Sequence, residues 1–62
     1  MDDNEPRWMK AHVRDSRDRA LAWWRTHPDR ADRAAWVGLY RSWHRGGWAW
    51  WYAAARASQI MS

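Results

Sequence analysis

The chain has no cysteine and no phenylalanine, and beyond residue 33 it has no aspartate or glutamate. Without cysteine there is no disulfide staple and no thiolate for metal binding or catalysis. His12, His27 and His44 are too far apart in sequence to read as a metal-ligand set, so no metal or other cofactor is expected. Aliphatic residues are scarce: Val13, Leu21, Val37, Leu39 and Ile60, with Met9 and Met61. Long apolar runs are missing too. The longest uncharged stretch is the ten residues 46–55, and a spanning helix needs about 20. The opening Met1-Asp2-Asp3-Asn4-Glu5 is acidic, the reverse of a secretory leader. The expected location is therefore cytoplasmic, or outside the cell without a leader.

What is present is tryptophan, alanine and arginine. Sixty-two residues include eight Trp, eleven Ala and ten Arg. One domain, 1–62, is the most this length supports, and so small a chain buries only about 60% of its unfolded surface. With few aliphatics, its core must use Trp as the large piece and Ala as the small one. One buried aromatic ring covers about 150–250 Å².

The charge is uneven. Residues 1–33 carry eight basic and seven acidic side chains, whereas residues 34–62 carry Arg41, Arg45 and Arg56 with no acid. The first half reads as a self-compensating surface, with Arg14–Asp18 and Asp15–Arg19 at helical pairing distance. The second half has unpaired cations among Trp36, Trp43, Trp48, Trp50 and Trp51.

No stretch alternates as a strand would, and helix signals recur. Asp3 or Asn4 followed by Pro6 marks a first helix over about 5–25, with Met9, Val13, Ser16, Ala20 and Trp23 or Trp24 on one face. Thr26 and Asp29 have capping-box spacing, with Pro28 in the first turn of a second helix over about 28–45. Its apolar face is Trp36, Leu39, Tyr40 and Trp43. Gly46-Gly47 ends it, and a third helix follows over about 48–61, carrying Trp50, Trp51, Ala54, Ala57 and Ile60 or Met61. An alternative is one long helix with a heptad seam of Trp36, Trp43, Trp50 and Ala57, but two interior glycines would cost about 2 kcal/mol. The expected fold is all-α: a small three-helix bundle, or a helical hairpin plus a C-terminal helix. The expected core is Trp23, Trp24, Trp36, Leu39, Tyr40 and Trp43.

Catalysis is not expected. Ser42 and His44 are two apart and point to different helix faces, and the carboxylates all lie in the first half. His27-Pro28-Asp29, preceded by Arg17, Arg19 and Arg25, is similar to the tripeptide of J-domain cochaperones; helix capping accounts for it without a chaperone role.

The expected binding residues are Arg41, Arg45, Trp48, Trp50, Trp51, Tyr52 and Arg56. Trp favours the headgroup layer of a bilayer, and Arg binds phosphate bidentately. The chain resembles the leaderless bacteriocins in being small, cysteine-free, cationic and Trp-rich, most closely over 36–61. That resemblance implies a compact helical, saposin-like fold and a membrane-permeabilising, antimicrobial activity. The same residues suit a regulator that docks its Trp/Arg face on a larger protein, because Trp, Tyr and Arg dominate interface hot spots. Nucleic-acid binding by ring stacking and self-association are further readings. Trp48, Trp50 and Trp51 are too close together to share one face, so at least one is expected to stay exposed.

Overall fold

The computed structural model describes residues 7–62, which form three helices: α1, Arg7–Thr26; α2, Arg30–Arg45; and α3, Trp50–Met61. The expected Asp3 or Asn4 cap and Pro6 lie outside the described residues. The second helix begins later than the sequence implied, and so does the third. Trp48 and Ala49 belong to the connection, and Gly46-Gly47 breaks the chain, so the continuous heptad seam does not form.

The α1–α2 corner differs from the expected capping box. Thr26 is the last residue of α1, and its hydroxyl donates back to the Ala22 and Trp23 carbonyls at 3.0 and 3.2 Å. The N-cap of α2 is Asp29, whose carboxylate accepts from the N–H groups of Ala31 and Asp32 at 2.8 and 3.1 Å. Pro28 therefore precedes the cap instead of sitting in the first turn. His27 closes the corner: Nδ1 donates to the Trp23 carbonyl at 2.8 Å, and the imidazole stacks on the Trp23 indole at 4.3 Å.

At the other corner, Gly47 has φ 102°, a left-handed conformation in which a Cβ would be strained. His44 Nδ1 donates to the Trp48 carbonyl at 3.0 Å and fixes how α3 departs.

Both α1 and α2 pack along α3, while they meet each other only weakly. The inner face of α3 is made of Ala53, Ala54, Ala57 and Ser58, all buried. Trp23 of α1 and Trp36 of α2, 4% and 8% exposed, join Ala54 and Ala57 in the core. Small residues on α3 leave room for the indoles, which supply the volume that missing aliphatics would otherwise fill. The Trp36 indole N–H donates to Ser58 Oγ at 3.0 Å, and Ser58 donates on to the Ala54 carbonyl at 2.8 Å. The indole nitrogen of Trp23 is buried without a partner.

Trp24, Leu39 and Tyr40 pack against this core but stay half-buried. Trp43 lies outside it. Its ring belongs to a second group with Trp48, at 5.9 Å, and Tyr52, at 6.0 Å. Of the expected large core residues, Trp23 and Trp36 are buried, Trp24, Leu39 and Tyr40 flank them half-buried, and Trp43 lies apart; Ser16, Ala54 and Ala57, read from sequence on the helix faces, are buried, and Ala53 and Ser58 join them. Of the Ile60 or Met61 alternatives on α3, Met61 packs against the core and Ile60 is exposed; Trp50, expected as a binding residue, is exposed as well.

Among the described residues the ion pair that closes is Arg17–Asp18, at 3.8 Å, whereas the expected Arg14–Asp18 and Asp15–Arg19 pairs do not. Arg33, assigned from sequence to a solvated surface, ties α2 to the end of α1. It donates from Nε to the His27 carbonyl at 2.9 Å and from Nη2 to the Trp24 carbonyl at 2.6 Å, with its guanidinium 4.7 Å above the Trp24 ring.

The Ser58 relay gives a direct test. Ser58→Ala leaves the Trp36 N–H buried and unpaired, so unfolding free energy should fall by about 1–3 kcal/mol in urea titration. Ala55→Ser, adding a hydroxyl at a half-buried α3 position outside the relay, should stay within about 0.5 kcal/mol of the parent.

Candidate functional site

The way the helices pack leaves a trough. Trp23 and Trp24 both approach Trp36, at 6.1 and 5.5 Å, so α1 and α2 meet near their connecting corner. Away from that corner, the N-terminal part of α3 lies between them. The molecule is 16 Å thick and 24 Å wide, the depth of about two stacked helix layers at 8–10 Å spacing. α3 forms one layer and α1 with α2 the other. Nothing among the described residues covers the side of α1 and α2 that faces away from α3.

An open hollow of about 370 Å³ lies there, walled by Ala20, Leu21 and Trp24 of α1 and by Trp36 and Tyr40 of α2, with Trp50 and Ala54 at its floor. Arg17 stands on its rim. Through Arg17 and Trp50 the hollow continues into a second, of about 530 Å³, lined by Lys10, Val13 and Arg14 from α1 and His44 from α2. Leu21 is 54% exposed and Trp50 46% exposed, so two of the largest uncovered apolar side chains lie in one trough.

Helical spacing explains this arrangement. Lys10, Arg14, Arg17 and Leu21 recur at three and four residues along one side of α1, next to the half-buried stripe of Val13, Ala20 and Trp24. Asp15 falls on the other side of the helix, in the hollow between α1 and α3 with His12, Arg19 and Trp51. Neither trough hollow is lined by an acidic side chain. α3 also begins beside the trough with no acid in its first turn and no side-chain cap, so its N-terminal dipole adds positive potential there.

The binding residues expected from sequence do not form a single face. Arg41 and Arg45 lie on the outer side of α2, beside Gly38 and Ser42. Trp48 is 48% exposed and stacks on Tyr52 at 4.5 Å. Trp50 enters the trough. Half-buried Trp51 turns toward α1, where it stacks with His12 at 6.4 Å. Arg56 is half-buried, with its guanidinium 5.1 Å over the Trp43 ring, Nη1 donating to Gln59 Oε1 at 3.1 Å, and Nε buried without a partner. It is built into the second aromatic group and does not stand free.

Sequence reasoning missed Lys10, Arg14, Arg17 and Leu21. The available signal was Leu21: in a chain with two leucines, one placed off the core stripe points to a second apolar contact. No group of three or more His, Cys, Asp or Glu among the described residues is placed to hold a metal. No described helix is long and apolar enough to cross a membrane.

No protein-family model matches this sequence, and comparison with curated proteins and with solved structures gives no match.

The exposures make a spectroscopic prediction. Trp50→Phe and Trp48→Phe should each remove part of the acrylamide-quenchable fluorescence, with unfolding free energy changed by less than about 1 kcal/mol. Trp36→Phe should leave the quenchable part unchanged and should destabilise the fold.

Proposed function

We propose that this chain is a non-enzymatic binding protein that docks on a larger protein through the α1–α2 trough. One observation carries the reading: Leu21 and Trp50, two large and half-exposed apolar side chains, converge in a concave, cation-rimmed hollow. Soluble monomers scatter their exposed apolar residues, and a convergent, rimmed group marks an interaction surface. Trp, Tyr and Arg are also the residues with which interfaces gain most of their free energy.

The test is site-specific photocrosslinking in the source cells. A benzophenone side chain replacing Leu21 should yield one discrete, stoichiometric protein adduct. The same group replacing Ser42, on the outer side of α2, should yield none. Identical patterns from both positions, or no adduct from either, would overturn the proposal.

A second reading, a membrane-surface-active and antimicrobial protein of the bacteriocin kind, has its own support. Trp48 is exposed at the α2–α3 connection next to the Arg41 and Arg45 side of α2. That arrangement suits anionic headgroups. On this reading, anionic vesicles at low salt should shift Trp emission to the blue and release entrapped dye, and Trp48→Ala should reduce both effects. Absence of any shift or leakage would rule it out.

A further inference from the structure

We infer that the occupant of the trough is an acidic amphipathic α-helix, an assignment that rests on the docking function proposed above. Three observations set the chemistry.

The walls of the trough are side chains on helices, and α1 and α2 keep their backbone groups for their own hydrogen bonds. No sheet edge exists among the described residues to pair with an extended strand. A helical peptide satisfies its own N–H and C=O groups, so it enters such an apolar trough without giving up backbone hydrogen bonds.

The length fits as well. From Lys10 to Trp24 the α1 wall spans fourteen helical rises, or about 21 Å at 1.5 Å each. That accommodates about four turns of a partner helix. Apolar anchors at i, i+3 or i+4, and i+7 would share one face of that helix, turned toward Trp24, Leu21 and Trp50.

Charge sets the sign. Lys10, Arg14 and Arg17 line the α1 side, no acid lines either hollow, and α3 opens beside them uncapped. Asp18, 3.8 Å from Arg17, lies outside the hollows, and both side chains of this pair are more than half exposed, which weakens it. Glu or Asp flanking the apolar stripe of the partner would complement this rim. A second copy of the chain presenting the same face would oppose like charges. A bilayer surface is flat, whereas Ala54 and Trp36 lie recessed below the rim.

The probe is a fluorescein-labelled sixteen-residue peptide with leucines on one helical stripe and glutamates beside it. An isohelical peptide with lysine at every glutamate position serves as its pair. Anisotropy titration of the full chain at low salt should show the acidic peptide binding at least about tenfold more tightly than the basic one, with the difference shrinking as salt rises. Leu21→Asp should weaken the acidic peptide about tenfold, with unchanged helical circular dichroism. The double substitution Arg14→Glu with Arg17→Glu should reverse the preference, an outcome that misfolding cannot produce. Equal affinity for both peptides, or no binding of either at millimolar concentration, overturns the assignment. So does anionic-vesicle binding that Arg14→Glu with Arg17→Glu abolishes while the peptide fails to bind, since the trough would then belong to lipid. If the photocrosslink at position 21 still captures a partner while the acidic peptide fails, docking stands and the acidic-helix assignment falls.

Discussion

The contact on which the rest of the structure depends is that of two indoles against an alanine helix. Ala53, Ala54 and Ala57 give α3 an inner face with almost no side-chain height, and Trp23 and Trp36 lie near it. Ordinary small bundles interdigitate medium-sized aliphatics from every helix. Here the large core side chains come from α1 and α2, while α3 supplies mostly small ones. Both indoles approach each other close to the α1–α2 corner. The two outer helices therefore meet at one end and stay separated at the other, with α3 beneath the gap. The trough follows from this unequal division of core volume.

The same contact explains where polar groups are tolerated. A Trp core brings N–H donors into the interior with it. One is satisfied by Ser58, which occupies what would otherwise be another alanine position and passes its own hydrogen to Ala54. The other, on Trp23, has no partner. Stacking with His27 and edge contact with Trp24 hold that ring in place instead. His27 thus has a structural task, closing the α1–α2 corner, and so do Asp29 as N-cap and Thr26 at the end of α1. The resemblance of His27-Pro28-Asp29 to a chaperone tripeptide needs no functional explanation.

Much of the fold could be read from the sequence because it depends on local signals. Three helices, their order, the glycine break and the Trp/Ala composition of the core all follow from periodicity and inventory. What could not be read is the depth at which each ring lies. Trp23 and Trp24 are adjacent, and helical period alone does not say which one faces α3. Trp43 fits the α2 stripe as well as Trp36 does, yet it pairs with Trp48 and Tyr52. The structure separates such residues through the position of α3, a tertiary fact. Ala54 and Ala57 could be read from helical spacing, whereas Ala53, which with Ala57 is the most enclosed among the described residues, and Ser58 could not. That Trp48, Trp50 and Trp51 cannot share one face was readable from their spacing, and Trp48 and Trp50 are indeed exposed; the direction each takes was not. Four neighbouring aromatic residues on a turn and a first helical turn must point in different directions, so Trp48, Trp50 and Trp51 diverge.

The charge asymmetry has to be read differently once the helices are placed. By sequence, the acid-free second half looked like the cationic surface and the mixed first half looked neutral. In the fold, Arg56 is committed to the Trp43 ring, and Arg41 and Arg45 face away from the trough. The first half, meanwhile, sorts its charges by helix face. Asp15 is carried to the α3 side and Asp18 falls outside the trough, leaving Lys10, Arg14 and Arg17 as its rim. Net charge along a segment therefore misjudged both halves, because a helix distributes each seven-residue window over all of its faces. The relevant quantity is charge per face. By that measure the cationic apolar surface is shared between α1 and the first turn of α3, and of the expected binding cluster Trp50 and Trp51 reach it.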